Sequence, residues 1–102
     1  MAEWTFRLAT NYVKHMPKSE EGTIDNDARL SFYQYFKQAT VGDCCNPKPS
    51  VFQPKESAKW TAWNSIKGMS KEVAMEKYVA ELDSRQSNWK EVAEKHNITT
   101  LM

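Results

Sequence analysis

The sequence lacks most features that would place it in a specialised class of protein. Its 102 residues include only three glycines and two cysteines, and its uninterrupted apolar runs are only a few residues long. Such short runs exclude a transmembrane helix, and the opening stretch MAEWTFRLAT lacks the basic and then apolar order of a signal peptide. We therefore expect a cytoplasmic protein.

An excess of charge of one sign is also missing. Lysine and arginine total 14 and the acidic residues total 13, which gives a formal net charge of +1. Such a balance provides no general attraction to nucleic acid or to anionic membranes. We expect no nucleic-acid partner and no stable membrane insertion, so any anion site must be built locally from a few lysines.

Patterns typical of catalysis or of metal binding are absent as well. Cys44 and Cys45 are neighbours, a spacing at which a disulfide is strained and a metal site lacks two ligands, so we interpret them as free thiols in a loop. His15 and His96 lie near predicted helix ends, where a basic group commonly interacts with the helix dipole. There is no P-loop, dinucleotide-binding glycine pattern or nucleophile elbow. We expect no enzyme activity, no metal and no cofactor.

Apolar residues recur at helical spacing and predict four helices. The first is predicted from Glu3 to about His15, the second from about Asp27 to Thr40 with Asp25 or Asn26 as its cap, the third from about Ser57 to Lys67 with Gly68 as its C-terminal cap, and the fourth from the cap Ser70 through Gln86 to about Lys95. Polar or proline-rich loops should separate them, and NITTLM should form a tail. No segment alternates as a strand would, so we expect one all-α domain over residues 1–102, with its core from about 3 to 95.

The predicted second helix has two useful faces. One apolar stripe at helical spacing indicates core and contains Phe32, Tyr35, Phe36 and Ala39. A second face, rotated away from it, carries Leu30, Tyr33 and Lys37, and the next helix places Lys55 and Lys59 one turn apart. Ammonium groups beside an aromatic ring suit a nucleotide phosphate. Lysines that simply solvate the outer faces of helices fit the spacing too, and periodicity alone leaves both interpretations open.

Two long blocks decide between these interpretations. FYQYFKQATVGD at 32–43 and KESAKWTAWNSIKGMSKEVAMEKYV at 55–79 closely resemble the acyl-CoA-binding protein family, small cytosolic carriers of fatty acyl-CoA thioesters. The blocks stand in the order of the family, with a loop of the expected size between them, and VKH at 13–15 fits its first helix. The likeness extends over about residues 3 to 90.

The resemblance implies a four-helix bundle of up-down-down-up order with acyl-CoA in a surface bowl. Tyr33, Lys37 and Lys59 would hold the 3′-phosphate and adenosine, Lys14 and Lys55 would add charge, Phe36 and Tyr78 would line the adenine and pantetheine region, and Leu30 and Trp60 would contact the acyl chain. The implied function is a monomeric carrier and pool former for medium- to long-chain fatty acyl-CoA in fatty acid metabolism, with acyl-CoA-using enzymes as partners.

A second function stays open beside the carrier. Phe36 stands where the family usually has tyrosine, and the loop before the second helix is longer than usual. A helical protein-interaction module that kept the bundle and lost its ligand would suit these departures. The joint retention of Tyr33, Lys37, Lys59 and Tyr78 argues against that alternative.

Overall fold

The computed structural model describes residues 2–16, 22 and 24–98, and no strand occurs in that part of the chain. Its α-helices are α1 (Ala2–His15), α2 (Asn26–Thr40), α3 (Pro54–Ser65), α4 (Lys71–Arg85) and α5 (Trp89–Lys95). The prediction of an all-α fold is confirmed, although a short fifth helix follows the expected four. Within the described ranges, no helix combines the length and the apolar character needed to cross a bilayer.

Helix α2 begins at a side-chain cap. Of the two candidates, Asp25 is the cap: its backbone is extended and its Oδ1 accepts a hydrogen bond of 2.8 Å from the backbone N of Ala28. The carboxylate satisfies a free N–H group of the first turn and also interacts favourably with the positive end of the helix dipole. The helix ends just before Gly42, whose φ of +103° favours glycine.

The boundaries of α3 and α4 follow from local chemistry. Helix α3 begins at Pro54, three residues before the predicted start, because proline fits the first turn, where its missing N–H has no helical acceptor. It ends at Ser65, and its cap is Ile66 instead of the predicted Gly68. The predicted cap of α4 is confirmed, since Ser70 Oγ accepts a hydrogen bond of 3.1 Å from the backbone N of Val73.

The prediction of one long fourth helix through Gln86 is wrong. Gln86 leaves the helix with φ −149° and ψ 92°, and its buried Oε1 accepts a hydrogen bond of 2.7 Å from the Tyr12 hydroxyl of α1. The apolar spacing nevertheless continues across this break, because Trp89 and Ala93 of α5 are also buried. Spacing alone cannot reveal a break that keeps the apolar face pointed at the core.

The predicted tail is only partly outside the core. Ile98 is buried, and its backbone N donates to the carbonyl of Ala93 at 2.8 Å, which closes the end of α5. Residues 99–102 lie outside the described residues, as do Pro17 and most of the predicted first loop.

The core lies where α4 packs against α1 and α2. The ring of Tyr78 on α4 meets Phe6 edge-on at a centroid distance of 5.2 Å and Phe32 at 4.9 Å. Helix α3 packs chiefly on α2 and buries Trp63 there. Helix α2 therefore has one side in the core and another side facing α3.

Candidate functional site

Two lysines from different helices meet at one aromatic ring. Tyr33 lies on α2, and the Nζ of Lys37, one turn later, is 5.9 Å from the centre of its ring. Lys59 on α3 places its Nζ 5.7 Å from the same centre. Both distances fall in the range of cation–π attraction. The structure thus brings the predicted trio together.

The positive charge of this cluster is only weakly neutralised. Glu56 Oε1 lies 3.6 Å from Lys59 Nζ, and both side chains are about half exposed, so water and salt screen the pair. Among the described residues, no carboxylate forms an ion pair with Lys37. Two ammonium groups near one ring repel each other, and an anion held between them would relieve that repulsion.

A cleft of about 460 Å³ runs between α2 and α3 beside this cluster. It is lined by the predicted residues Leu30, Tyr33, Lys55 and Lys59, and by Asn26, Arg29, Pro54 and Ala58, which were not predicted as site residues. Arg29 precedes Tyr33 by four residues, so the helical spacing that found Lys37 could also have found it. The cleft combines apolar walls with cations along its rim.

Three predicted residues lie instead in a second cleft of about 530 Å³ beside α1, α2 and α4. They are Lys14, Phe36 and Tyr78, and the lining also includes Arg7, Thr10, Asn11 and Val13. Side chains three residues apart are neighbours on a helix surface, so Phe36 lies next to Tyr33 on α2. Most of the predicted residues are thus divided between two clefts that share α2, whereas Lys37 and Trp60 are not among the described lining residues of either cleft.

The aromatic residues of the second cleft differ in burial. Tyr78 is 3% exposed, and burial raises the pKa of its hydroxyl, which therefore stays protonated at neutral pH. Phe36 is 41% exposed and stacks on Phe6 at a centroid distance of 6.2 Å. Phe36 therefore offers an accessible ring, whereas Tyr78 is a buried lining residue of the same cleft.

The two tryptophans of α3 have separate roles. Trp60 donates its indole N–H to the carbonyl of Asn46 at 2.7 Å and is not among the described residues that line either cleft. Trp63 donates to the carbonyl of Gly42 at 2.8 Å, and Lys37 Nζ lies 5.6 Å from its ring centre. Trp63 is therefore a second aromatic neighbour of Lys37.

A hydrogen-bonded clasp holds the end of α2 beside the site. The buried Gln38 donates through Nε2 to Asp43 Oδ1 at 2.8 Å and to the carbonyl of Met69 at 2.7 Å. Asp43 Oδ1 also accepts from the backbone N of Gly68 at 2.8 Å. These bonds, led by that from Gly68, lower the pKa of Asp43. Because Gln38 follows Lys37 directly, the clasp also fixes the backbone that presents the lysine.

Other polar groups do not extend this site into a metal centre. Cys44 is buried, Cys45 is exposed, and both are free thiols, as interpreted from their spacing. The histidines lie at helix ends, His15 as the last residue of α1 and His96 as the cap of α5. In the described ranges, no group of three histidine, cysteine or acidic side chains is placed to hold a metal ion.

Comparison with known proteins identifies the family. The family model for acyl CoA binding protein matches residues 3–82. The chain belongs to the acyl-CoA-binding protein family. The family is described by its binding of acyl-CoA. The resemblance carried by the two sequence blocks is thereby confirmed.

Solved structures of the acyl-CoA-binding protein family support the fold. The crystal structure of ACBP from Moniliophthora perniciosa superposes with a TM-score of 0.79 at 38% identity, covering 95% of this chain and 96% of that chain. The solution structure of acyl CoA binding protein from Babesia bovis T2Bo gives a TM-score of 0.74 at 43% identity, with coverage of 88% and 99%. The predicted bundle order is consistent with this fold.

Curated relatives of the acyl-CoA-binding protein family include much longer proteins. Acyl-CoA-binding domain-containing protein 5 of Xenopus tropicalis is 42% identical over 77 residues, which cover 76% of this chain but 17% of that protein. Acyl-CoA-binding protein homolog 3 of Caenorhabditis elegans is 35% identical over 78 residues, which are 76% of this chain and 67% of the homolog. The matched part of the chain thus spans less than a third of the length of these domain-containing relatives.

Proposed function

We propose that this protein binds medium- to long-chain fatty acyl-CoA and serves as an intracellular, cytoplasmic carrier and pool former. The observation that carries the proposal is the convergence of Lys37 and Lys59 on the ring of Tyr33 beside a partly apolar cleft. Family membership supports acyl-CoA as the ligand. We further propose that the carrier is a monomer that hands its cargo to acyl-CoA-using enzymes.

The cationic cluster is proposed to bind the coenzyme A end of the ligand. Lys37 and Lys59 would hold its 3′-phosphate, with Tyr33 beside the adenosine. Each hydrogen bond to a charged phosphate contributes about 1.5 to 3 kcal/mol, so two or three of them suffice to distinguish an acyl-CoA from a free fatty acid. Lys14 and Lys55 would add charge, and Phe36 and Tyr78 would line the adenine and pantetheine path.

The apolar walls are proposed to shelter the acyl chain. Leu30 and Ala58 line the cleft from opposite helices, α2 and α3. At about 0.8 kcal/mol for each buried methylene, sixteen carbons contribute on the order of 10 kcal/mol before the costs of association are subtracted. The acyl chain therefore supplies most of the gross affinity, and the phosphate contacts supply selectivity. Trp60 is proposed to lie along this chain.

Titration calorimetry with three ligands tests the proposal. Palmitoyl-CoA should bind strongly, and palmitate and free coenzyme A should each bind far more weakly, because each lacks one half of the interaction. Binding of palmitate as tight as that of palmitoyl-CoA would refute the role of the cationic cluster. Thiol release over time in the same mixtures would refute the assignment as a binding protein without catalysis.

The alternative, a protein-interaction module without a ligand, is favoured by the exposed Phe36 ring, which lacks the hydroxyl usual for the family. Tryptophan fluorescence separates the two functions. Filling of the cleft should change the emission of Trp60, which follows the lining residue Lys59 in sequence and is only half-buried in the free protein. An unchanged spectrum at saturating palmitoyl-CoA, together with no heat of binding, would favour the interaction module.

A further inference from the structure

The loop between α2 and α3 presents two apolar side chains to solvent. Val51 is 83% exposed and Phe52 is 90% exposed, and they are adjacent in sequence. Burial of such side chains is favourable by tens of calories per mole for each square ångström, so leaving both in water forgoes a substantial gain. We call residues 50–53 the loop tip.

Local hydrogen bonds hold the loop tip in this shape. Ser50 Oγ accepts from the backbone N of Phe52 at 3.2 Å, and the Ser50 carbonyl accepts from the backbone N of Gln53 at 3.0 Å. The two sides of the loop are also fastened, by the bond from Trp60 to Asn46 and by the start of α3 at Pro54. The exposed pair is therefore part of an ordered turn, whose conformation need not be acquired on docking.

The charge around the loop tip is positive. Residues 44–55 contain two lysines, Lys48 and Lys55, and no acidic residue. Of the two acids that flank this segment, Asp43 accepts hydrogen bonds from Gln38 and Gly68, and Glu56 lies 3.6 Å from the ammonium group of Lys59. The segment thus carries an exposed apolar pair at its tip and a lysine on each side of it, Lys48 and Lys55.

We propose that the loop tip docks reversibly on an anionic lipid surface. Val51 and Phe52 would enter the interfacial region of the bilayer while Lys48 and Lys55 face lipid phosphates and carboxylates. Two side chains are far too small an area for a stable protein interface, whereas a lipid surface adapts to any exposed apolar group and its negative potential complements the lysines. Such docking is weak and differs from stable membrane insertion.

The loop tip lies close in sequence to the cleft, which suggests what membrane docking would achieve. Pro54 and Lys55 line the cleft between α2 and α3, so the loop tip lies next to that cleft along the chain. A carrier docked through the tip would present the cleft close to the membrane, where acyl chains partition. This use depends on the proposed function, but the docking itself does not.

Co-sedimentation of the full chain with vesicles tests the proposal. Vesicles of phosphatidylcholine with phosphatidylserine should retain the protein better than vesicles of phosphatidylcholine alone, and added salt should weaken this binding. The double variant Val51→Ser, Phe52→Ser should lose about tenfold or more in partitioning. Lys48→Ser should lose about fivefold on the anionic vesicles only. Val73→Ser, which removes an exposed apolar side chain on α4, is the matched control and should bind as the unmodified protein does.

Two further measurements separate the possible outcomes. The double variant should keep its calorimetric affinity for palmitoyl-CoA, since neither residue is among the described residues lining a cleft; vesicle binding without palmitoyl-CoA binding would refute the proposed function alone. No sedimentation with either vesicle, or equal sedimentation of the double variant, would overturn the docking proposal. So would a dimer in analytical ultracentrifugation that the double variant abolishes, because the occupant would then be a second copy of the chain.

Discussion

Neighbouring residues on α2 face two different environments. Phe32 is 4% exposed and packs against Tyr78 in the core, whereas Tyr33 faces the lysines of the cleft. The first side chain contributes to the free energy of folding, and the second is proposed to contribute to ligand binding. The contrast teaches that stability and recognition lie on separate faces of one helix, so a substitution can change one and spare the other.

Removal of a core ring should have the largest effect. Phe32→Ala leaves a cavity beside Tyr78 and should lower the free energy of unfolding by about 3 to 5 kcal/mol, measured by urea denaturation followed by circular dichroism. Tyr33→Ala, one residue away, should cost much less stability. Equal losses from the two substitutions would contradict the division of α2 into a core face and a binding face.

Removal of either cluster lysine should weaken ligand binding and leave the stability of the fold nearly unchanged. Lys37→Ala and Lys59→Ala should each weaken palmitoyl-CoA binding by about 1 to 3 kcal/mol in titration calorimetry, because each ammonium loses a contact with phosphate. Their urea midpoints should stay close to that of the unmodified protein. Lys77→Ala, an exposed lysine on α4, is the control and should change neither quantity. Normal binding by both cluster variants would refute the site assignment.

The turn at Gly42 lies beside the site, since its carbonyl accepts a hydrogen bond from Trp63, whose ring centre is 5.6 Å from Lys37 Nζ. A Cβ at this position would meet only Lys71 Cε at 3.7 Å, but the φ of +103° strains any residue with a side chain. Gly42→Ala should therefore lower stability by about 1 to 2 kcal/mol in urea denaturation. At Gly22, no atom of the described residues would lie within 4 Å of an added Cβ and φ is not in that region, so Gly22→Ala should be nearly neutral. Equal stability of the two variants would show that the turn relaxes.

The smallest expected effect is a dependence on pH at the clasp. The folded-state pKa of Asp43 is below its ordinary value of 3.8, so its ionised form stabilises the fold above that pH, and this stabilisation is lost as the pH falls through the lowered pKa. Asp43→Asn keeps an acceptor oxygen but loses the charge. The two proteins should differ in urea midpoint at neutral pH and converge in acid. A difference in urea midpoint that stayed constant across pH would show that the ionisation of Asp43 does not cause it.

The helices were predictable where their ends carry local signals. Ser70 caps α4 through a backbone neighbour three residues away, so composition and spacing suffice to predict it. The break at Gln86 was not predictable in this way, because the hydroxyl that holds its side chain belongs to Tyr12, 74 residues away in sequence. The spacing of apolar residues does not reveal a hydrogen bond to a residue so far away in the sequence.

The site shows the same limit. Helical spacing places Tyr33 and Lys37 on one face of α2, and family resemblance named Lys59, but neither states that both ammonium groups approach one ring. That arrangement requires the packing of α3 on α2. Arg29 was within reach of the spacing argument, whereas the proximity of Trp63 to Lys37 depends on tertiary structure. Most residues of the site were thus predictable from the sequence, but the contacts between residues on different helices were not.

The central claim is that Lys37 and Lys59 together hold the 3′-phosphate of coenzyme A. Calorimetry with palmitoyl-CoA and with its 3′-dephospho form, on the unmodified protein and on the double variant Lys37→Ala, Lys59→Ala, tests it most directly. The unmodified protein should bind the phosphorylated ligand more tightly, and the double variant should bind the two ligands equally. A double variant that kept the full preference for the 3′-phosphate would contradict the account.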